Sequence, residues 1–209
     1  SLSLFVGLPL LAADLLQHYY LSENTFVFNM ISGLVRICLF LTYLILISYM
    51  SDIKRLFQFH GAEHKTVYNF ESGKKLNIEN ASAFPKEHPR CGTSFIFIVM
   101  LVSIISYSLI DTIAVQIGID LTIINRLLIH IPCLPLVAGF SYEVLKITAK
   151  YQNYTFFKIL GFPGLALQKI TTQIPDEAQL EVAITALTHA FGEDIQKYEG
   201  KQFSAEAVG

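Results

Sequence analysis

Four long apolar runs decide which folds are open to this sequence. A helix needs about 20 apolar residues to cross the roughly 30 Å of hydrocarbon in a bilayer. The runs cover Leu2 to about Tyr20, Phe26 to Met50, Ser94 to about Ile119, and Leu121 to about Leu145. They predict an all-α fold: an integral membrane bundle of about four transmembrane helices, with a cytosolic helical loop and C-terminal amphipathic helices.

The composition favours the same class of protein. Only 15% of the residues are charged and the mean hydropathy is +0.49, whereas soluble domains have about a quarter of their residues charged. So hydrophobic a chain is not disordered, and a net charge of −2 offers no basic surface for nucleic acid. The three cysteines, two of them inside apolar runs, do not form a disulfide framework. Because the chain starts at Ser1 directly in an apolar run, we expect a processed or trimmed chain.

The basic residues predict the orientation and the division of the chain. Residues 52–93 hold seven Lys and Arg and residues from 146 onward hold six, whereas the connectors 21–25 and 119–121 hold none. The positive-inside rule therefore places the loop and the C-terminus in the cytosol. We divide the chain into two transmembrane helices (1–51), a cytosolic loop (52–93), two further transmembrane helices (94–146) and an interfacial or cytosolic helical segment (147–209).

Local signals predict helices within the loop and the C-terminal segment. Asp52 to about Phe70 contains no proline and ends at a Ser-Gly-Lys-Lys turn, which is typical of a helix. Residues 154–167 are apolar and predict a segment in the interface plane. A last helix is expected from Pro175–Glu177, because proline and acids are favoured in a first turn. Pro132 and Pro135 predict a kink in the fourth span.

His60, Glu63 and His64 form the pattern H-x-x-E-H. Residues four apart on a helix lie on one face with Cβ atoms about 5–6 Å apart, so the two histidines can hold one metal ion. Glu63 can then take a proton from a metal-bound water, as in inverzincins. The alternative is a surface helix that holds these residues by chance.

His88 and Cys91 form a second ligand-type pair with H-x-x-C spacing. Three nitrogens and a sulfur suit zinc, with another divalent metal as the alternative. Cys91 lies beside Arg90 at a predicted helix N-terminus, which favours the thiolate. Four protein ligands are typical of a structural ion, whereas a catalytic ion needs an open position. If the ion is catalytic, His88 or Cys91 does not bind it. Cys91 is then a nucleophile or a residue that orients the ligands. The plain alternative is a turn before a membrane helix.

Three further residues are candidates for an outer layer that orients the ligands: Glu143, Tyr142 and Arg90. Simple placement at the membrane interface is the alternative for Glu143. Glu71 lies about 10 Å along the helix from His64, too far for the same ion. We expect it to be a solvated carboxylate.

Several polar residues fall inside the apolar runs. His130 is expected to form a hydrogen bond with a neighbouring helix. Arg36, Asp111 and Arg126 are expected to pair with each other or to extend towards the interface.

Three stretches resemble the YqhQ-like family of bacterial integral membrane proteins, a family of unknown function whose members are sometimes described as predicted metal-dependent enzymes. They are 60–67 (HGAEHKTV), 88–95 (HPRCGTSF) and 135–143 (PLVAGFSYE). With parts of 163–183, the likeness covers roughly residues 50–191. It implies a cytosol-facing His/Glu/Cys centre in the bacterial cytoplasmic membrane. A thylakoid or plastid membrane is the alternative in a photosynthetic lineage. Family members usually carry a Gly-rich stretch ahead of the first span, and this sequence does not.

We therefore predict a membrane-embedded, zinc-dependent, hydrolase-like enzyme of unknown substrate. Its expected metal ligands are His60, His64, His88 and Cys91, with Glu63 as general base. Its expected partners are the lipid bilayer and membrane-tethered or lipid-linked substrates. We expect no binding of nucleic acid. A homo-oligomer is one of the possible assemblies. The alternative is a non-catalytic scaffold or assembly factor with a structural metal ion.

Overall fold

The structure is a computed structural model, and it describes residues 25–151, 153–198 and 200–202. These residues form seven α-helices and one 3-10 helix and contain no strand, which confirms the predicted all-α class for this part of the chain. The helices are α1 (Thr25–Ser48), α2 (Ser51–Glu71), α3 (Ile78–Ser82), α4 (Gly92–Gln116), α5 (Ile123–Lys150), α6 (Thr155–Thr171), α7 (Glu177–Phe191) and the 3-10 helix Gly192–Lys197.

Helices α1, α4 and α5 are long and apolar enough to cross a membrane. Large apolar side chains remain uncovered on them, such as Leu128 (68% exposed) and Leu136 (75%), as on a helix that faces lipid. Helix α5 continues through Pro132 and Pro135, so neither proline ends it. The first predicted span, Leu2 to about Tyr20, lies outside the described residues, so the structure supports three of the four expected spans.

The chain divides into two units, and the first contains residues 25–44 and 95–144 of the described chain. We call it the membrane unit. Gly33 allows α1 to approach α4 closely, because a Cβ atom there would lie 2.5 Å from Ile104. Polar contacts also join the helices: the Tyr107 hydroxyl donates to the His130 carbonyl (3.3 Å), and the Ser108 hydroxyl donates to the Phe26 carbonyl (3.1 Å).

The second unit contains residues 45–94 and 145–202 of the described chain, and we call it the loop unit. Its small apolar core consists of Ala62 from α2, Ala81 from α3 and Leu180 from α7. Helix α2 follows the predicted bounds within one residue at each end, and α7 begins with a capping box between Asp176 and Gln179. The predicted loop and the predicted C-terminal segment therefore fold together.

The segment after α6 lies directly against α2. The backbone N–H of Gln173 donates to the Phe57 carbonyl at 2.8 Å. A Cβ atom at Gly61 would lie only 2.1 Å from the Gln173 carbonyl oxygen. The glycine inside the H-x-x-E-H pattern therefore lets this backbone pass beside the two histidines.

Candidate metal centre

Three of the predicted metal ligands come together in the loop unit. His60 and His64 lie one turn apart on α2, and Cys91 directly precedes α4. One ligand atom from each lies within 4.8 Å of the other two, and the Nε2 atom of His60 is 3.2 Å from the Sγ atom of Cys91. His64 and Cys91 are buried, with 6% and 5% of their surface exposed. The cluster is therefore a shielded group of two imidazoles and a thiol.

Backbone carbonyls orient both histidines of this cluster. The Nδ1 atom of His60 donates to the Thr171 carbonyl (2.8 Å), and the Nδ1 atom of His64 donates to the Lys86 carbonyl (2.5 Å). Because a carbonyl oxygen only accepts, each Nδ1 carries the proton and each Nε2 is available as a ligand. Hydrogen bonds of this kind from the far ring nitrogen are typical of metal-binding histidines.

The Cys91 thiol ionises more readily than an ordinary cysteine thiol. Its burial opposes ionisation, but hydrogen bonds with His60, His64 and Thr93 outweigh this effect and lower the pKa of Cys91 to about 5. The hydrogen bond with Cys91 in turn raises the pKa of His60, although partial burial opposes that shift. Without a metal, the pair therefore favours a thiolate beside an imidazolium.

The spacing of the three donors fits a zinc ion. Ligands at about 2.0–2.3 Å from a tetrahedral zinc lie about 3.5 Å from one another. The His60–Cys91 separation of 3.2 Å is close to that value, and the 4.8 Å limit of the group exceeds it by about 1.3 Å. The three donors therefore lie close enough together to be candidate ligands of one ion.

His88 is buried, with 5% of its surface exposed, but it lies outside this group. Its Nδ1 atom accepts the backbone N–H of Arg90 at 3.3 Å. Its Nε2 atom faces the Glu71 carboxylate at 3.5 Å. Only Nδ1 forms a hydrogen bond among the described residues, since Nε2 is buried without a hydrogen-bond partner. A role for His88 as fourth ligand stays a prediction.

The expectation of a solvated Glu71 is wrong. Its side chain is 13% exposed and forms ion pairs with Arg90 and His88. Burial raises the pKa of this carboxyl, but its interaction with His88 and the charge of Arg90 outweigh it and hold the pKa below its ordinary value. The cause is tertiary: the segment before α4 folds back over the end of α2. Arg90 therefore forms an ion pair with this largely buried carboxylate.

The other predicted site residues are exposed. Glu63 lies on the solvent-accessible side of α2, in the same unit as the cluster. Tyr142 and Glu143 lie on α5 and belong to the membrane unit, and the Tyr142 ring packs against Phe95 there. Their role in an outer layer stays a prediction.

Residues at the end of α6 support the cluster. The sequence predicted no role for them, although they belong to the stretches that resemble the family. Gln168 is fully buried; its amide donates to the His88 carbonyl (2.8 Å) and the Ser94 hydroxyl (2.6 Å) and accepts the His88 N–H (2.7 Å). The Lys86 ammonium donates to the Thr172 carbonyl (2.8 Å). A signal was present, because the polar residues Gln168 and Thr171 share one face of a largely apolar helix.

Comparison with known proteins places the chain in a family. The model of the family described as "Protein of unknown function (DUF1385)" matches residues 1–193. The uncharacterized protein YqhQ of Bacillus subtilis (strain 168) is 37% identical over 180 residues, which are 86% of this chain and 54% of that protein. The chain thus spans about half the length of this relative. No solved structure matches it. The chain belongs to the DUF1385 family.

Proposed function

We propose that the protein is a membrane-embedded, zinc-dependent enzyme of hydrolase type, with His60, His64 and Cys91 as its metal ligands. The observation that carries the proposal is the convergence of these three donors within 4.8 Å. Two imidazole nitrogens and a thiolate are ligands that zinc prefers. The fixed Nδ1 protons of both histidines leave the two Nε2 atoms free for the ion.

Three candidate ligands come together among the described residues, a number that favours catalysis over a structural role. Structural zinc sites have four protein ligands, whereas catalytic sites have three and an open position. His88, the expected fourth ligand, faces Glu71 and the Arg90 backbone instead. A zinc ion held by His60, His64 and Cys91 would supply Lewis-acid activation of water. Glu63, one residue before His64 and exposed, is the proposed general base that accepts the proton.

The loop unit also carries features that suit a membrane-tethered or lipid-linked substrate. Helix α6, whose end supports the cluster, exposes Phe156 (69%), Ile159 (68%) and Phe162 (62%). Such side chains insert readily into the headgroup boundary of a bilayer. The basic residues of 52–93 and 146–209 favour the cytosolic face of a bacterial cytoplasmic membrane.

The close contact between His60 and Cys91 favours a second candidate, a metal-independent thiol enzyme. A thiolate with a pKa of about 5 beside an imidazole is a competent nucleophile. In that function the Cys91 thiolate attacks an acyl carbon of the substrate, and His60 protonates the leaving group as its bond to that carbon breaks. Water then hydrolyses the resulting thioester and releases the acid and the free thiol. His64 then orients the thiolate.

Metal analysis of the purified full chain distinguishes these functions. The zinc enzyme predicts about one zinc per chain in the wild type and in a His189→Ala control, since His189 is exposed and lies outside the cluster. It predicts a large loss of zinc in His64→Ala and Cys91→Ser. Equal, near-zero zinc in all four proteins would contradict it and leave the thiol enzyme.

A second measurement separates an enzyme from a scaffold. The zinc enzyme predicts that Glu63→Gln keeps its zinc but loses hydrolysis of ester and phosphate substrates presented in micelles or vesicles. The scaffold predicts a different result: the wild type binds zinc fully but hydrolyses none of these substrates, and Glu63→Gln matches it in every assay. That result would indicate a structural ion.

A further inference from the structure

The membrane unit contains a polar cavity that plays no part in the metal centre. It has a volume of about 450 Å³ and is lined by residues of α1, α4 and α5. Its charged and histidine side chains are those of Arg36, Asp111, Arg126 and His130. Such side chains are costly within membrane-spanning helices, and where they occur they mark ligand or ion sites.

Asp111 is the acidic residue of this cavity, and its carboxylate is fully engaged. It is 1% exposed. It accepts hydrogen bonds from the Asn29 amide (2.9 Å) and from His130 Nε2 (2.8 Å), and the Arg126 guanidinium lies 3.6 Å away. The prediction that His130 bonds a neighbouring helix and that Asp111 and Arg126 pair is therefore confirmed.

Among the described residues that line the cavity, positive charge is in excess. The one carboxylate in this part of the chain, that of Asp111, shares the cavity with the guanidinium groups of Arg36 and Arg126. The Nε atoms of Arg36 and Arg126 and the hydroxyl of Ser32 are buried without a hydrogen-bond partner among the described residues. Burying charges and donors is unfavourable unless hydrogen-bond acceptors or a counter-charge complete the site, and an anion supplies both.

One end of the cavity lies near a helix terminus. Arg126 is three residues from the start of α5, and Arg36 lies deeper, 12 residues before the end of α1. At 1.5 Å per residue, Arg126 lies about 4.5 Å from the helix terminus, near the depth of lipid headgroups. Met100, Ile104 and Leu127 supply apolar walls beside the charged groups.

We propose that this cavity binds a phosphate group, delivered either by an anionic lipid headgroup or by free phosphate. The planar guanidinium fork of arginine matches the oxygens of phosphate in two parallel hydrogen bonds. Asp111 holds Arg126 in place and leaves Arg36 to take most of the ligand charge.

The test measures lipid binding to the detergent-purified full chain by native mass spectrometry. Dioleoylphosphatidylglycerol is titrated against dioleoylphosphatidylcholine, which has the same acyl chains but no net charge. The wild type should prefer phosphatidylglycerol. Arg36→Gln and Arg126→Gln should weaken that binding by about tenfold or more, since each loses a charge-assisted hydrogen bond. Arg55→Gln, at an exposed arginine outside the cavity, should match the wild type.

A second set of measurements identifies the source and guards against misfolding. Inorganic phosphate that binds with the same dependence on Arg36 and Arg126, in place of the lipid, would support the site and assign it to free phosphate. Asp111→Asn keeps the shape of the side chain and removes the competing charge, so it should tighten binding. Arg126→Lys keeps the charge and should weaken binding less than Arg126→Gln.

The proposal is overturned if the wild type shows no preference for phosphatidylglycerol and no binding of inorganic phosphate. Binding that is unchanged in both arginine-to-glutamine variants would overturn it equally, because the lipid or phosphate would then occupy some other part of the protein.

Discussion

The Nε2 atom of His60 lies 3.2 Å from the Sγ atom of Cys91, although 31 residues separate them in the chain. This contact joins the H-x-x-E-H helix to the residue that precedes α4. Because Thr171 fixes the Nδ1 proton of the same ring, the Nε2 atom faces the thiol as a potential ligand or base.

The acidity of Cys91 gives a first prediction. In metal-free protein with Cys38 and Cys133 replaced by serine, the rate of alkylation by iodoacetamide should rise with pH around a midpoint of about 5. His60→Ala removes the strongest hydrogen bond to the thiolate, so the midpoint should move upward towards the ordinary value of 9.0. His189→Ala should leave it unchanged. A wild-type midpoint near the ordinary value would show that the contact does not form.

The buried carboxylate of Glu71 gives a pH-dependent prediction. Its pKa is lower in the folded protein than the ordinary 4.5, so its stabilisation is present above that value and is lost as the pH falls through the folded pKa. Glu71→Gln should cost about 1–3 kcal/mol at neutral pH because Arg90 and His88 lose a charged partner. The difference in Tm between wild type and variant should shrink on acidification below about pH 4.5. A constant difference, or one no larger than that of the exposed control Glu193→Gln, would count against the buried ion pairs.

Gly61 is predicted to be intolerant of any side chain. A Cβ atom at this position would lie 2.1 Å from the Gln173 carbonyl, a backbone atom that moves only with its segment. Gly61→Ala should lower the free energy of unfolding by about 1–3 kcal/mol and displace the carbonyl of Thr171 from His60. A Cβ atom at Gly139, which is also helical, would have no neighbour within 4 Å, so Gly139→Ala should be neutral or slightly stabilising. Equal thermal stability of the two variants would refute the close approach.

Gln168 is predicted to be essential for the position of the segment that carries His88 and Cys91. Gln168→Leu keeps the approximate volume but leaves the His88 N–H and carbonyl without their partners. The expected cost is about 1–3 kcal/mol per unsatisfied group, together with weaker zinc binding. Gln202→Leu, at an exposed glutamine, is the control. Unfolding temperatures and zinc affinities that match the wild type would mean that Gln168 does not hold this segment.

Features with local signals were predictable from the sequence. The apolar runs located α1, α4 and α5, and the turn after Glu71 located the end of α2. The spacing of His60 and His64 places them on one helix face, because that relationship depends only on the helical period.

Features that depend on distant contacts were not predictable in this way. The contact of His60 with Thr171 spans 111 residues, and that of His88 with Gln168 spans 80. Helical periodicity carries no information on such pairings, so Glu71 was expected to be solvated. For the same reason, His88 could not be distinguished from the other candidate ligands by spacing alone.

X-ray absorption at the zinc edge of the metal-loaded full chain measures the ligand shell itself. If His60, His64 and Cys91 hold the ion, the shell contains one sulfur at about 2.3 Å and two imidazole nitrogens at about 2.0–2.1 Å, with one further light atom in the open position. The sulfur should disappear in Cys91→Ser, and the spectrum of His189→Ala should match the wild type. A shell without sulfur in the wild type, or no bound zinc at all, would contradict the assignment of His60, His64 and Cys91 as a metal centre.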